Sequence, residues 1–214
     1  ASPGPGKWRG GASVRKSSIL READQTVISY ICDRERAVVW GIQGGLPSMP
    51  HGLSIARAGS NKVDWLGSAF SDVPLNSGDW FSRPTAGGGG FGDPLERDPA
   101  LVREDVADDY VSLERARKDY GVVLRVIDKD LAEYAVDEVA TQAERARIRA
   151  ARRGWLAEDP EAVARRFRAG ELDALDLVRH YAVILDWDTG AVLPNSTAQF
   201  REMYQKRAAA YWPE

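Results

Sequence analysis

Up to residue 82 the apolar positions fall in short runs separated by polar turns; beyond residue 98 they recur three or four residues apart. That change of period predicts an α+β chain, with a β-rich antiparallel N-terminal part and a helix-rich C-terminal part. Residues 13–21 and 25–32 are short, rich in β-formers and bounded by polar residues, and so are 37–42, 54–57 and 63–66, while 73–82 leads on through another polar turn. Many short strands at close spacing predict a sandwich or barrel-like layer. Residues 33–36, Asp-Arg-Glu-Arg, read as a charged turn within it.

In the second part, Asp98 and Pro99 supply a cap and a first-turn proline, and Leu101, Val102 and Val106 give that helix an apolar side. Ser112 caps a second helix, lined by Leu113, Ala116 and Tyr120 and ended by Gly121; residues 122–126 follow as a strand. A long helix rich in Ala, Glu and Arg spans 136–153, and another runs from the Asp159-Pro160 cap to about Arg168, closed by Gly170. Residues 181–187 are strongly apolar and read as a strand, which turns at Asp188-Thr189-Gly190 and pairs back through 191–194 as a terminal hairpin. Ser196 or Thr197 caps the last helix, 198–210. Its stripe of Phe200, Met203, Tyr204 and Arg207 suits packing, here against a partner subunit.

Between the two parts lies Gly87-Gly88-Gly89-Gly90-Phe91-Gly92-Asp93-Pro94. In a helix interior each glycine would cost about 1 kcal/mol relative to alanine. The run therefore predicts a pivot loop that needs positive φ or the close approach of another chain or ligand. It divides the sequence into 1–94, β-rich with glycine loops, and 95–214, helix-rich and expected to pack as one unit with the first. A phosphate cradle is the alternative, because backbone N–H groups at helix starts bind anions. The run lacks the Gly-Lys-Ser/Thr ending of a P-loop, and no apolar strand leads into it, so a structural or interface loop is the better reading.

At 214 residues, 43% hydrophobic and 29% charged, the composition is that of an ordinary globular protein of one large or two small domains. Its 29 Lys+Arg against 32 Asp+Glu give a net charge of −3, with no basic excess to suggest nucleic acid. The arginines between Arg145 and Arg168 read as an exposed face balanced in part by Glu138 and Glu144. A helix–turn–helix reading of the two helices around Tyr110 fails because Glu114, Arg115, Arg117, Lys118 and Asp119 make a solvated face. The single cysteine, Cys32, excludes an internal disulfide or a thiolate zinc site within this chain; it reads as a small core residue and points to a cytoplasmic location. The apolar runs fall far short of the roughly 20 residues that span a bilayer. The first eleven residues lack the apolar core of a signal peptide and read as a loop entered midway through a larger architecture.

Candidate chemistry is sparse. Lys7 and Arg9 place two cations around Trp8, either as an anion or substrate contact or as a surface loop packed through the indole. His51 follows the loop that contains Gly44 and Gly45, but one histidine with no neighbouring ligand is a poor metal motif. No metal site is expected in this chain. A catalytic Cys32 would have only His51 or His180 as its base.

The run Gly87–Pro99 resembles a segment of the hydantoinase B/oxoprolinase family, which includes acetone and acetophenone carboxylase subunits. So do Val111-Ser112 with Ala116-Arg117-Lys118-Asp119-Tyr120-Gly121-Val122-Val123. Gly4-Pro5-Gly6-Lys7-Trp8-Arg9-Gly10-Gly11, then Asp33-Arg34, Trp40-Gly41-Ile42-Gln43-Gly44-Gly45 and residues 193–202, follow in the family's order. Val39 departs from a frequent proline, and Ser48 from a frequent glycine. The resemblance covers essentially the whole chain, and it implies a C-terminal half, a cleaved product or a separately encoded piece of a longer subunit. It further implies a heteromeric enzyme in which a hydantoinase-A-type ATPase subunit binds ATP and Mg and phosphorylates an amide or carbonyl oxygen. A divalent metal, where used, would belong to an N-terminal hydantoinase-B-like half or partner. The expected reaction is hydrolysis of a hydantoin, oxoproline or lactam; the alternatives are bicarbonate-dependent ketone carboxylation and a non-catalytic assembly role. Lys7, Arg9, Gly44, Gly45, His51, Gly87, Gly88, Gly89, Gly90 and Asp93 are the candidates for substrate or interface lining, with no catalytic residue assigned.

Overall fold

The computed structural model describes residues 3–23, 25–35 and 38–213. Among these the first part contains β1 (Arg15–Ile19), β2 (Thr26–Ile31), β3 (Leu53–Ala56), β4 (Val63–Gly67), β5 (Ala69–Leu75) and β6 (Trp80–Pro84). The second contains α1 (Pro99–Ala107), α2 (Leu113–Tyr120), β7 (Leu124–Asp128), β8 (Glu133–Val136), α3 (Glu138–Trp155), α4 (Pro160–Arg168), α5 (Ala174–Arg179) and α6 (Pro194–Tyr211). This is the α+β order that the change of period predicts.

The strands of the first part are antiparallel. Four form a sheet in the order β1-β6-β3-β4, while β2 and β5 make a separate ribbon. Leu53 and Ile55 alternate inward from β3 and are fully buried, as period-two spacing requires of a half-buried strand. The 73–82 run is split: its start ends β5, Asn76–Asp79 turn, and its end opens β6.

Residues 38–42 do not form the expected strand. Ile42 makes a single bridge to Phe91, because the backbone here pairs with the glycine run rather than with the sheet. Arg36 and Ala37, in the charged turn and at the start of that segment, lie outside the described residues. Cys32 is half-buried beside the end of β2 and so is not a core residue.

In the second part Asp98, Ser112, Asp137 and Asp159 cap α1 to α4 through their side chains, and Gly121 ends α2 at φ 63° in the left-handed region. Val122 and its neighbour leave the predicted strand, because Val122 is drawn into a core with Val102, Val106, Ala116 and Tyr120. The strand starts at Leu124 instead and pairs with β8, which the sequence reading lacks, as it lacks α5.

The apolar run from Tyr181 is buried but does not form the predicted strand: Ala182 lies in the left-handed region at φ 49°, and the run belongs to no sheet. Tyr181, Val183 and Leu185 enter a core with Val163, Ala164 and Leu177; Ala182 and Ile184 enter another with Phe200, Tyr204 and Trp212. Its backbone is satisfied from both sides by other means. Ile184 N–H donates to Thr197 Oγ1 at 3.0 Å, Leu193 N–H donates to the Ile184 carbonyl at 2.9 Å, and the hairpin reduces to one bridge, Leu185 to Val192. With Thr197 engaged there, α6 starts earlier, at Pro194, and has no side-chain cap. Its stripe of Phe200, Tyr204 and Ala208 packs within this chain.

Candidate functional site

Three glycine-rich segments, 3–11, 41–46 and 87–92, lie side by side and exchange backbone hydrogen bonds. Gly4 N–H donates to Gly88 O (2.8 Å), Gly88 N–H to Gly11 O (2.9 Å), Leu46 N–H to Pro5 O (2.7 Å) and Gly90 N–H to Leu46 O (3.0 Å). Ile42 N–H donates to Gly90 O (2.8 Å), and Trp8 and Phe91 exchange a pair at 2.9 Å. The backbones approach so closely that a Cβ on Gly45, Gly89 or Gly90 would overlap the backbone of Gly90, Trp40 or Pro5 respectively. Gly87 is buried in the same run. Since the amides of Gly88 and Gly90 are spent on neighbouring segments, they form no phosphate cradle. Gly44, at φ 87°, receives the indole N–H of Trp212 on its carbonyl at 2.8 Å.

The outer face of these ribbons is apolar. Trp8 (59% exposed), Ile42 (55%) and Phe91 (43%) sit on adjacent bridged positions and are open to solvent. Lys7 stands beside them, half-exposed, with Nζ 3.4 Å from Glu96. Arg9 turns inward: Nε is 2.9 Å from Asp105, whose other oxygen meets Arg97 at 3.0 Å, and its guanidinium lies over the Tyr110 ring. The two cations flanking Trp8 are thus on different duties. Asp93 is buried, accepts from Leu95 N–H at 3.0 Å and is held by Arg152.

His51 lies away from the ribbons, next to the start of β3. It is buried, its Nδ1 has no hydrogen-bond partner, and burial pushes its pKa below the ordinary 6.5 against the opposing pull of Asp33 and Glu35. Among the described residues no group of three or more His, Cys, Asp or Glu could hold a metal ion. The described residues therefore do not by themselves fit a divalent metal, which the resemblance assigns to an N-terminal half or partner. Among the described residues no helix is long and apolar enough to cross a membrane.

The most concentrated chemistry lies where the sequence suggests a solvated face. Arg115 and Asp119 of α2 are buried, as are Asp176 and Arg179 of α5. Asp119 Oδ2 is 2.5 Å from Arg179 Nη1, and its Oδ1 accepts from His180 Nε2 at 3.1 Å. Burial alone would push the Asp119 carboxyl up; Arg179, His180 and Arg115 outweigh it and hold the group well below the usual carboxylate range. An ionised carboxylate can only accept, so Nε2 carries the hydrogen. Arg179 also donates to the carbonyls of Pro47 (3.0 Å) and Pro3 (2.8 Å), tying the charge cluster to the glycine-rich part. Asp176 bridges Arg115 and Lys118 at 2.9 and 2.8 Å. The available signal was the spacing of Arg115 to Asp119 and of Asp176 to His180, each four apart on one helical face. The Arg145–Arg168 face is likewise only partly exposed, because Arg152 is buried and Arg145 donates to the Tyr120 and Arg97 carbonyls at 3.1 and 2.6 Å.

Comparison with known proteins gives these features a context. The hydantoinase B/oxoprolinase family model matches residues 1–94. The chain is 31% identical over 148 residues to caprolactamase subunit beta of Pseudomonas jessenii, covering 68% of this chain and 24% of that one. It is 29% identical over 182 residues to the acetone carboxylase alpha subunit of Xanthobacter autotrophicus, covering 70% and 23%. A nucleotide-free structure of acetone carboxylase, from work on ATP-dependent acetone carboxylation, shares the fold over 100% of this chain and 30% of its own, with TM-score 0.60 and 22% identity. The chain spans 20–24% of the length of the curated relatives it matches. Over residues 1–94 the chain matches the hydantoinase B/oxoprolinase family, and its likeness to the curated relatives runs on beyond that segment.

Proposed function

We propose that this chain is one part of a heteromeric ATP-dependent amidohydrolase of the hydantoinase, oxoprolinase or lactamase type, acting on a phosphorylated substrate. The observation that carries the reading is the exposed face of Trp8, Ile42 and Phe91, built on a ribbon whose inner side is fully engaged. Apolar surface rimmed by charge marks an interaction site. Phosphorylating an amide oxygen turns it into a good leaving group, and the intermediate must then be kept from water. A rigid ribbon with an apolar outer face suits the wall of such a closed junction.

In this reading a hydantoinase-A-type subunit holds ATP and Mg, and an N-terminal hydantoinase-B-like half or subunit holds any divalent metal and docks on the ribbon. This chain alone is inactive, and the complex works in the cytoplasm. Lys7 is the cation best placed at the junction, since Arg9 is engaged with Asp105. Residues 1–94 and 95–214 act as one packed unit, supported by Arg9–Asp105, Asp93–Arg152 and the Arg179 contacts with Pro3 and Pro47. A second reading, a bicarbonate-using ketone carboxylase, is favoured by the longer match to the acetone carboxylase alpha subunit.

Native mass spectrometry of the gently purified protein tests the assembly, and ATP turnover with and without bicarbonate separates the two reactions. A complex with an ATPase-type subunit and bicarbonate-independent turnover is expected. A lone monomer would overturn the reading.

A further inference from the structure

Beyond the ribbon, the ends of α3 and α5 enclose a cleft of about 210 Å³. An apolar cavity of about 150 Å³ accepts benzene, so this one has room for a ring and a short polar head. Its apolar wall is Trp155, Leu172 and Tyr181; the Trp155 and Tyr181 rings lie 6.2 Å apart at 42°, and His180 meets Trp155 edge-on.

The polar rim carries both signs: Lys118 and Arg147 against Asp176 and Glu171. Each cation retains donors. Lys118 Nζ uses two of its three on Asp176 (2.8 Å) and Glu114 (2.7 Å), and Arg147 uses Nε and Nη2 on Glu144. Glu171 is 61% exposed and only 3.5 Å from Arg166, leaving acceptor capacity. A simple anion entering here would meet Asp176 and Glu171, and a simple cation would meet Lys118 and Arg147. A head carrying both charges on neighbouring atoms can set each charge against an opposite partner on the rim, which a singly charged head cannot.

We propose that this cleft is a binding site for a small zwitterion with a flat apolar group, in chemical terms an aromatic α-amino acid. The ring packs on Trp155 and Tyr181, the carboxylate faces Arg147 and Lys118, and the ammonium faces Glu171 and Asp176. The site is separate from the exposed ribbon face and does not depend on ATP.

Isothermal titration of the protein in its native assembly with L-phenylalanine, 3-phenylpropanoate and 2-phenylethylamine tests the site. Saturable binding of phenylalanine at least ~10-fold tighter than either singly charged analogue is expected. Arg147→Ala and Glu171→Gln alter exposed side chains, and each should weaken binding about fivefold or more, whereas Arg125→Ala on β7 should not. Three outcomes overturn the proposal: no saturable binding up to about 10 mM, equal binding of the three probes, or indifference to both rim variants.

Discussion

Nη1 of Arg152 lies 3.0 and 2.8 Å from the two carboxylate oxygens of Asp93, joining α3 to the end of the glycine run across 59 residues. Both side chains are almost wholly buried, and the guanidinium stacks 4.1 Å from the Trp212 ring centroid. Removing one partner strands the other charge in the interior, which typically costs about 3–5 kcal/mol. Asp93→Ala should therefore lower unfolding free energy by that order in urea titrations. Asp93→Leu combined with Arg152→Met should lose clearly less. Equal losses in the single and double variants would show that the pair has no clamping role.

The glycines make a sharper contrast. A Cβ at Gly90 would overlap the Pro5 backbone, which cannot move without breaking the Leu46-to-Pro5 hydrogen bond. Gly154, in the last turn of α3, has open space around its Cβ position. Gly90→Ala should yield little soluble folded protein. Gly154→Ala should gain roughly 0.5–1 kcal/mol from helix propensity, read as a higher midpoint in the same titration.

What was legible in the sequence follows from how local each signal is. The α1, α2 and α4 caps are written in adjacent residues, Asp98-Pro99, Ser112 and Asp159-Pro160, and all three hold. The apolar run from Tyr181 to Leu185 correctly marks a buried chain, but the strand read from it does not form. Whether such a chain joins a sheet depends on what satisfies its backbone, and that is Thr197, twelve or more residues away. Charge is the weakest local signal. Asp119 and Arg152 look like surface residues on their own helices because the partners that make burial tolerable, Arg179 and Asp93, lie 60 and 59 residues distant. For the same reason the glycine run reads correctly as a loop needing close approach, while the chains that approach it could not be named.

Acid should unfold the protein in two stages. Burial holds the folded-state pKa of His51 below its ordinary 6.5, so below that pH the unfolded chain binds the proton more readily than the folded one. The stability His51 contributes is full above about 6.5 and declines as pH falls through the folded value. The carboxylates act lower. The backbone N–H groups of Asn76 and Ala58, then Arg57, hold Asp79 near about 2 against an ordinary 3.8, and Asp119 is also depressed. Their contribution is complete above about 4 and lost towards about 2. Melting temperature should therefore drift down below about pH 6.5 and fall steeply below about 4. His51→Gln should flatten the first slope and leave the second. A first slope identical in the variant would assign it to other groups.

The ribbon face gives the decisive prediction for assembly. Trp8, Ile42 and Phe91 contribute little to this chain's own core, because their side chains point outward while their backbones hold the ribbon together. Trp8→Ser and Phe91→Ser leave every backbone hydrogen bond in place and remove apolar area that is only partly covered, so each should cost about 1 kcal/mol of stability. At an interface the same truncations remove aromatic anchors, which commonly cost about 2 kcal/mol or more each. Native mass spectrometry should show the double variant folded but released from its partners, with coupled ATP turnover lost. Lys7→Ala, which removes an exposed charge 3.4 Å from Glu96, should keep the complex intact and lower turnover within it. Turnover unchanged by Lys7→Ala, in a complex that the aromatic variants still dissociate, would make this face an assembly surface with no part in the chemistry.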